Sequence, residues 1–395
     1  VSFVSGILEK YKVIDVSRFI AGPYCAMLLG DMGAEVIKIE KPEGDDGRYM
    51  QNAIADLSTY FMLANRNKKS VTLNLKSPRG KEIFLELVRD ADVVVENFRP
   101  GAMKRLGFGY EDLKKINPRI ILTSVTGFGQ DGPYAHRPSF DSVAQAMGGL
   151  MNQTGDDRPV PAGTWVGDYS AGLYAAFGTV LALLQRESTG VGQHVDVSLL
   201  DSVVSWLRTS PQDFLLFGKK HKRKGARDTY RCPVGAFETA DGYMYITATT
   251  QDQFKGVAIA AGHPEWAEDP RFITEPCRMK NSAELTRLIT EWTMSHTTDQ
   301  VLEELIKHDV PCAPINDVEQ VLANPQVQHR EDIVWVKCHT GQDIPLPGIV
   351  VKLSETPGSI RLAPPKLGDY NKEFYGKIMG MSDEEIAKLH QEGVI

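Results

Sequence analysis

Lys12-Val13-Ile14-Asp15, the run from Pro23 to Asp31, and Glu35-Val36-Ile37-Lys38-Ile39-Glu40 form the stretch that decides the fold of this chain. The outer pieces are short and partly β-branched, as strands are. The middle piece reads as a helix, with Pro23 tolerated in its first turn and Gly30 or Gly33 near its end. A second unit repeats the scheme: Val71 to Leu75 is strand-like, Ser77 caps a helix that Pro78 opens and that runs through Val88, and Ala91 to Glu96 is the next strand. A helix over Leu106 to Ile116 and a strand over Ile120 to Val125 follow. Strands alternating with helices of this length predict an α/β fold, with a Rossmann-like large domain around a mostly parallel, covered sheet.

Working outward, Asp141 to Leu150 and Ala171 to Gln185 read as helices. The second is rich in Ala and Leu on every face, which predicts a buried helix. Val195 to Asp213 extends the same body. The texture changes at Lys219-Lys220-His221-Lys222-Arg223-Lys224, a basic run read either as an exposed linker or as a neighbour of a phosphorylated cofactor. Beyond it, Gly235 to Thr239 and Tyr243 to Ala248 read as strands around the turn Asp241-Gly242, and Gln253 to Ile259, Ser282 to Thr293 and Thr298 to His308 as helices. The expected division is a large domain over 1–215, a smaller α+β domain over 225–325 and a segment over 330–395 that returns to the large domain. That segment holds a strand at Ile349 to Leu353 and a helix from Ser382 to Glu392.

A length of 395 residues exceeds what one core usually supports, so two domains are the default. Lys plus Arg total 44 against 51 acidic residues, and the net charge of -7 argues against general nucleic-acid binding. The five cysteines form no CxxC pair and fit a reducing compartment. No apolar run is long enough to cross a membrane, so a cytoplasmic location is expected. The nine histidines show no metal-ligand spacing, and no metal site is expected.

Four stretches could carry chemistry. Gly163-Thr164-Trp165-Val166-Gly167-Asp168-Tyr169-Ser170 places a carboxylate at the start of an apolar helix. On pattern alone, Asp168 caps that helix or sits near its positive end. Asn65-Arg66-Asn67-Lys68-Lys69-Ser70 is a basic loop that could hold phosphates or simply face water. Glu96-Asn97-Phe98-Arg99-Pro100-Gly101 follows a strand end, where open α/β sheets place ligands. Gly127-Phe128-Gly129 also follows a strand but lacks the dinucleotide fingerprint. There is no GxSxG elbow, P-loop or HExxH helix.

These pieces in order resemble the class III coenzyme A-transferases, the family of formyl-CoA and carnitine-CoA transferases, over essentially the full length. The resemblance rests on Asp15-Val16-Ser17-Arg18, Ala21-Gly22-Pro23, Leu28 to Glu40, Asn67-Lys68-Lys69-Ser70, Val95 to Gly101, Ser124 to Gly129 and Gly167-Asp168. It implies that Asp168 is a nucleophile. It implies coenzyme contacts at Val16, Ser17, Arg18, Lys38, Asn67, Lys68, Lys69, Asn97, Phe98, Arg99, Arg105 and Arg137, with Arg18 and Arg137 facing either an acidic substrate or the coenzyme phosphates. It also implies acyl-CoA and carboxylic-acid substrates, no tightly bound cofactor, and an interlocked homodimer in which each chain threads a ring made by the other. The implied reaction moves CoA between an acyl-CoA and an acid, the acceptor class including dicarboxylates, through an aspartyl-CoA thioester whose oxyanions backbone amides would stabilise.

Two departures stand out. The glycine-rich closing loop of formyl-CoA transferase matches Ala248 to Gln253 here, which contains no glycine, and Phe140 replaces a tyrosine. The rivals are an α-methylacyl-CoA racemase, which needs an acid–base pair where Ser139-Phe140-Asp141 stands and finds His136 displaced, and a non-catalytic coenzyme A-binding protein, which would use Asp168 only as a cap.

Overall fold

Valine, isoleucine and leucine on both sides of the four inner strands account for the central sheet. In the computed structural model, which describes residues 6–395, β1 (Lys12–Asp15), β2 (Glu35–Glu40), β3 (Lys68–Thr72), β4 (Val93–Glu96), β5 (Ile121–Thr126) and β6 (His194–Ser198) form one sheet. All neighbours are parallel and their order is β3-β2-β1-β4-β5-β6. Alternation sends Val13, Val36, Val93, Val95 and Ile121 to one face and Ile14, Ile37, Ile39, Val94 and Leu122 to the other.

The helices that matter for the site are α1 (Ala21–Asp31), α2 (Pro78–Asp90), α3 (Ala102–Leu106), α4 (Tyr110–Ile116), α5 (Asp141–Met147) and α6 (Val166–Thr189). The first face packs on α1 and α6 through Cys25, Ala26, Leu29, Ala171, Ala175 and Leu183. The second packs on α2 and α4 and on the C-terminal residues Phe374, Tyr375, Leu389 and Ile395. Ser77 caps α2 by accepting the Gly80 N–H, with Pro78 opening the helix as expected.

Several expectations change. The single helix over Leu106 to Ile116 is two helices, because Gly107 takes φ +87° and closes α3 before Gly109 starts α4. Ile349 to Leu353 forms no strand. The local hairpin lies at Ile333–Lys337 and Asp343–Pro347, where alternate side chains such as Ile344 and Leu346 bury against Leu57 and Phe61. The long helix α6 is not buried all round. Leu173, Phe177, Val180, Leu181 and Leu184 are exposed along one side.

The chain divides into two compact units. One comprises the chain up to Leu150, Ala162–Leu207 and Pro325–Ile395; the other comprises Met151–Pro161 and Arg208–Asn324. The boundary thus falls at Leu207 rather than 215. The helix Ser210–Phe217 belongs to the second unit because Arg208 pairs with Asp228 at 2.9 Å and the Tyr230 hydroxyl donates to Asp213 at 3.0 Å. In that unit Cys312–Pro314, Tyr243–Thr247 and Val234–Glu238 form an antiparallel sheet packed on the helices Gln251–Ala260, Ser282–Met294 and Thr298–Lys307.

Candidate active site

In the order 3-2-1-4-5-6 the winding direction reverses between β1 and β4. Loops leaving the carboxyl ends of these two strands diverge and open a crevice, the usual ligand position in such sheets. A cavity of about 600 Å³ occupies that place. Val16, Ser17 and Arg18 line it after β1, Lys41 to Asp45 after β2, Leu73 to Lys76 after β3, and Phe98, Ala102, Arg105 and Leu106 after β4. Of its acids, Glu40 is held by two bonds of 2.7 Å from Arg48, and Asp45 pairs with Lys38 at 3.1 Å. Arg18, Lys41, Lys76 and Arg105 stand on the rim beside Glu43; Arg18 and Lys41 share Asp46 at 3.2 and 2.8 Å, and the four cations suit a phosphate or carboxylate that competes for them.

Of the residues that the sequence singled out for coenzyme contact, Val16, Ser17, Arg18, Phe98 and Arg105 come together around this cavity. Asn97 braces it: its side chain accepts the Arg18 N–H at 2.8 Å and donates to the Arg18 carbonyl at 2.6 Å. Arg18 lies over the Phe98 ring at 5.5 Å.

The others lie elsewhere. Lys38 and Lys68 are fully buried behind the wall. Lys38 donates to the Ser17 carbonyl at 2.9 Å, and Lys68 pairs with Asp15 at 2.8 Å while donating to Asn65 and the Pro23 carbonyl. Asp15 in turn holds the Ser17 amide and hydroxyl, so the two lysines fix the turn that carries Ser17 and Arg18. Two lysine charges keep Asp15 below the usual carboxylate range despite burial.

The basic loop clasps the C-terminal segment. Arg66 pairs with Asp31 at 2.7 Å and donates to the carbonyls of Pro347 and Gly348. Asn67 bonds Asp31 and Ser359 and accepts from the Arg361 and Leu362 amides. Lys69 pairs with Glu35 and lies over Tyr370. Arg99 is exposed, and Arg137 lies on the surface over the Tyr134 ring.

Asp168 is the third residue of α6, and it is not the cap. The residue before the helix, Trp165, makes no side-chain cap, and the first-turn amides are served by a different carboxylate. Asp141, at the start of α5, accepts the Gly167 N–H at 2.7 Å and the Asp168 N–H at 3.3 Å. Gln145 donates to its other oxygen at 2.6 Å. The amides that a nearby oxyanion would use are therefore committed to Asp141. Burial, followed by the Asp141 charge, pushes Asp168 up to about 7. Tyr60, Trp165, Tyr169 and Tyr24 form a chain of edge-on and tilted rings around this helix start, with centroids 5.0–6.5 Å apart. The Asp168 charge helps push the Tyr60 hydroxyl up.

At the racemase position, Phe140 is 63 % exposed and edges onto Phe19 at 5.7 Å, and His136 is exposed. Neither gives a proton-carrying pair. The Ala248–Gln253 stretch leads into a capped helix: Thr250 and Gln253 form a reciprocal capping box for Gln251–Ala260.

A family model described as CoA-transferase family III matches residues 8–371. The chain belongs to this family. It is an enzyme, a CoA-transferase, as relatives over nearly its whole length also indicate. The succinyl-CoA–L-malate CoA-transferase beta subunit of Chloroflexus aurantiacus is 38% identical over 98% of both chains. The succinyl-CoA:glutarate CoA-transferase of Mus musculus is 38% identical over 98% of this chain and 90% of its own. Among solved structures, a CAIB/BAIF family protein from Brucella suis superposes with a TM-score of 0.86 at 35% identity, over 95% of this chain and 100% of that one.

Sequence reading missed Asp141 as the partner of Asp168, and Lys41 and Lys76 as rim cations. The two lysines follow the ends of β2 and β3, so the carboxyl ends of the strands on that side of β1 were the available signal. The pairing of Asp141 with a helix 25 residues further on had none. Among the described residues, no helix is long and apolar enough to cross a membrane, and no group of three His, Cys, Asp or Glu side chains is placed to hold a metal.

Proposed function

We propose that this CoA-transferase moves CoA from an acyl-CoA donor to a carboxylic acid through a thioester on Asp168, with small dicarboxylates as the acceptor class. The observation that carries the reading is the relief of Asp168 from capping. Asp141 satisfies the first-turn amides, which leaves the Asp168 carboxylate free to react. The cationic cavity at the carboxyl ends of β1–β4 is read as the seat of the coenzyme's phosphates, with Lys38, Asn67, Lys68 and Lys69 as framework and Val16, Ser17, Arg18, Asn97, Phe98 and Arg105 nearest the ligand. The dicarboxylate assignment follows the malate and glutarate in the names of the two relatives.

In the first step a carboxylate oxygen of Asp168 attacks the thioester carbonyl, the C–S bond breaks, and CoA thiolate leaves a mixed anhydride. The thiolate attacks the Asp168 carbonyl carbon and expels the donor acid. The acceptor carboxylate then attacks the aspartyl-CoA thioester, thiolate departs again, and its attack on the acceptor's carbonyl releases the new acyl-CoA and restores Asp168. A carboxylate is a weak nucleophile, and holding it desolvated against an activated thioester supplies what it lacks. Its raised proton affinity also makes the anion more basic than an ordinary aspartate.

The test is exchange of CoA between succinyl-CoA and a panel of mono- and dicarboxylic acids, with hydroxylamine trapping at Asp168. Exchange that prefers dicarboxylates, and that Asp168→Ala abolishes, is expected. Exchange surviving in that variant would sink the nucleophile, and deuterium uptake at the α-carbon without exchange would favour a racemase.

A further inference from the structure

Glu96 closes β4 beside Ser124 of β5, and Ser124 lies beside Asp196 of β6. Strand alternation puts all three on the face that carries Val94 and Leu122. Glu96 and Ser124 are almost wholly buried. Nothing in the transfer chemistry uses this carboxylate, and among the described residues no cation offsets it, although an uncompensated buried carboxylate is costly.

Its hydrogen bonds point to the cavity. Glu96 accepts the Phe98 N–H at 2.7 Å, and Ser124, its register partner across β4 and β5, favours its charged form. The Ser124 hydroxyl meets Nε2 of His194 at 2.9 Å. When the serine proton is turned to Glu96, the ring donates from Nε2. The ring stacks on Tyr110 at 5.8 Å, and burial lowers its proton affinity, with the Asp196 charge opposing. Tyr110 is itself pinned by donating to the Gly192 carbonyl at 2.8 Å. The charged and titratable groups facing this row are Asp196 and His194 from β6 and Tyr110 with Glu111 from α4. The turn that Glu96 closes carries Asn97, which brackets Arg18, and Phe98, which walls the cavity.

We infer that His194, Ser124 and Glu96 form a positioning relay that holds the Asn97-Phe98 turn against the coenzyme, so that the charge on Glu96 sets coenzyme affinity. The inference rests on the reading of the cavity as the coenzyme site. Burial pushes Glu96 up to about 7, its two donors offset part of that, and Asp196 adds to it. Above that pH the Phe98 N–H meets a carboxylate and the bond is charge-assisted; below it the bond is the weaker neutral kind.

The experiment measures CoA binding by calorimetry from about pH 6 to about pH 8 for the full-length protein, Glu96→Gln and Ser124→Ala. The ratio of the Glu96→Gln dissociation constant to that of the parent is used, because titration of the coenzyme's own phosphate cancels in it. That ratio is expected to be near unity at the acid end and to rise to about fivefold at the alkaline end. Ser124→Ala removes a donor to the charged form, so its inflection is expected at higher pH than the parent's. A ratio constant with pH, or an unmoved inflection in Ser124→Ala, would overturn the relay. Failure of the parent to bind CoA at any pH would overturn the reading of the cavity itself.

Discussion

Asp168 carries a cost along with its role. Its proton affinity in the fold, pushed up to about 7, lies far above that of an aspartate in the unfolded chain, near 3.9. The folded protein therefore binds more protons over that interval, and stability falls as pH rises from about 4 to about 7. Asp168→Asn is expected to raise the denaturation midpoint at pH about 8 and to leave it unchanged below pH about 4, where both side chains are neutral. Equal midpoints at both ends would show that the site imposes no such penalty. Under the proposed mechanism the same variant lacks the nucleophile, and a fall in exchange rate of about 10⁴-fold is expected. Asp141→Asn separates two functions, since the amide oxygen still accepts the Gly167 N–H while the charge beside Asp168 is gone. The acid limb of kcat/KM, which under the proposed mechanism follows ionisation of Asp168, is expected to move to lower pH in that variant. A limb that stays in place would mean that desolvation alone sets it.

At the scale of elements, the crossing of α1 and α6 positions both the turn that enters the cavity and Asp168. The two helices meet through small residues, and a Cβ on Gly172 would lie 2.6 Å from the Ala21 carbonyl oxygen. Backbone cannot yield cheaply there, so Gly172→Ala is expected to cost about 1–3 kcal/mol in a urea titration. A change within a few tenths would show that the helices slide freely. Gly22 is equally tight, facing Ser17 in the turn that enters the cavity. Much of this layout was legible in the sequence. The β-branched runs gave β1, β2 and β5, and Ser77-Pro78 gave the start of α2, because periodicity and caps are local signals. What stayed hidden depends on distant partners. The family resemblance assigns Lys38 and Lys68 to the coenzyme, and nothing local in the sequence announces that Asp45 and Asp15 sit against them. The Asn65-to-Ser70 loop leaves phosphate binding and a solvent-facing turn both open, because its partners here, Asp31 and the segment from Pro347 to Leu362, are remote in sequence.

At the scale of the whole molecule, α6 presents an apolar stripe to the outside of its unit. Leu173, Phe177, Val180, Leu181 and Leu184 recur at helical spacing, and Phe177 and Leu184 are 61 % and 67 % exposed. A contiguous apolar stripe of this kind marks an interface. A second copy of the chain is the occupant expected here, in the interlocked form that the family resemblance implies. Light scattering is expected to give twice the 43.7 kDa chain mass, and Phe177→Asp combined with Leu184→Asp is expected to lower that mass or bring the protein out of solution. Interlocking makes a sharper demand than dimerisation. A simply apposed pair exchanges subunits at a rate set by dissociation, whereas a threaded pair must open one chain first, so exchange is tied to unfolding. Two differently tagged preparations, mixed when folded, are therefore expected to form no mixed dimers over days, and to form them in the statistical proportion after joint unfolding and refolding. Mixed dimers appearing within hours under native conditions would leave the apolar stripe as an interface but remove the threading.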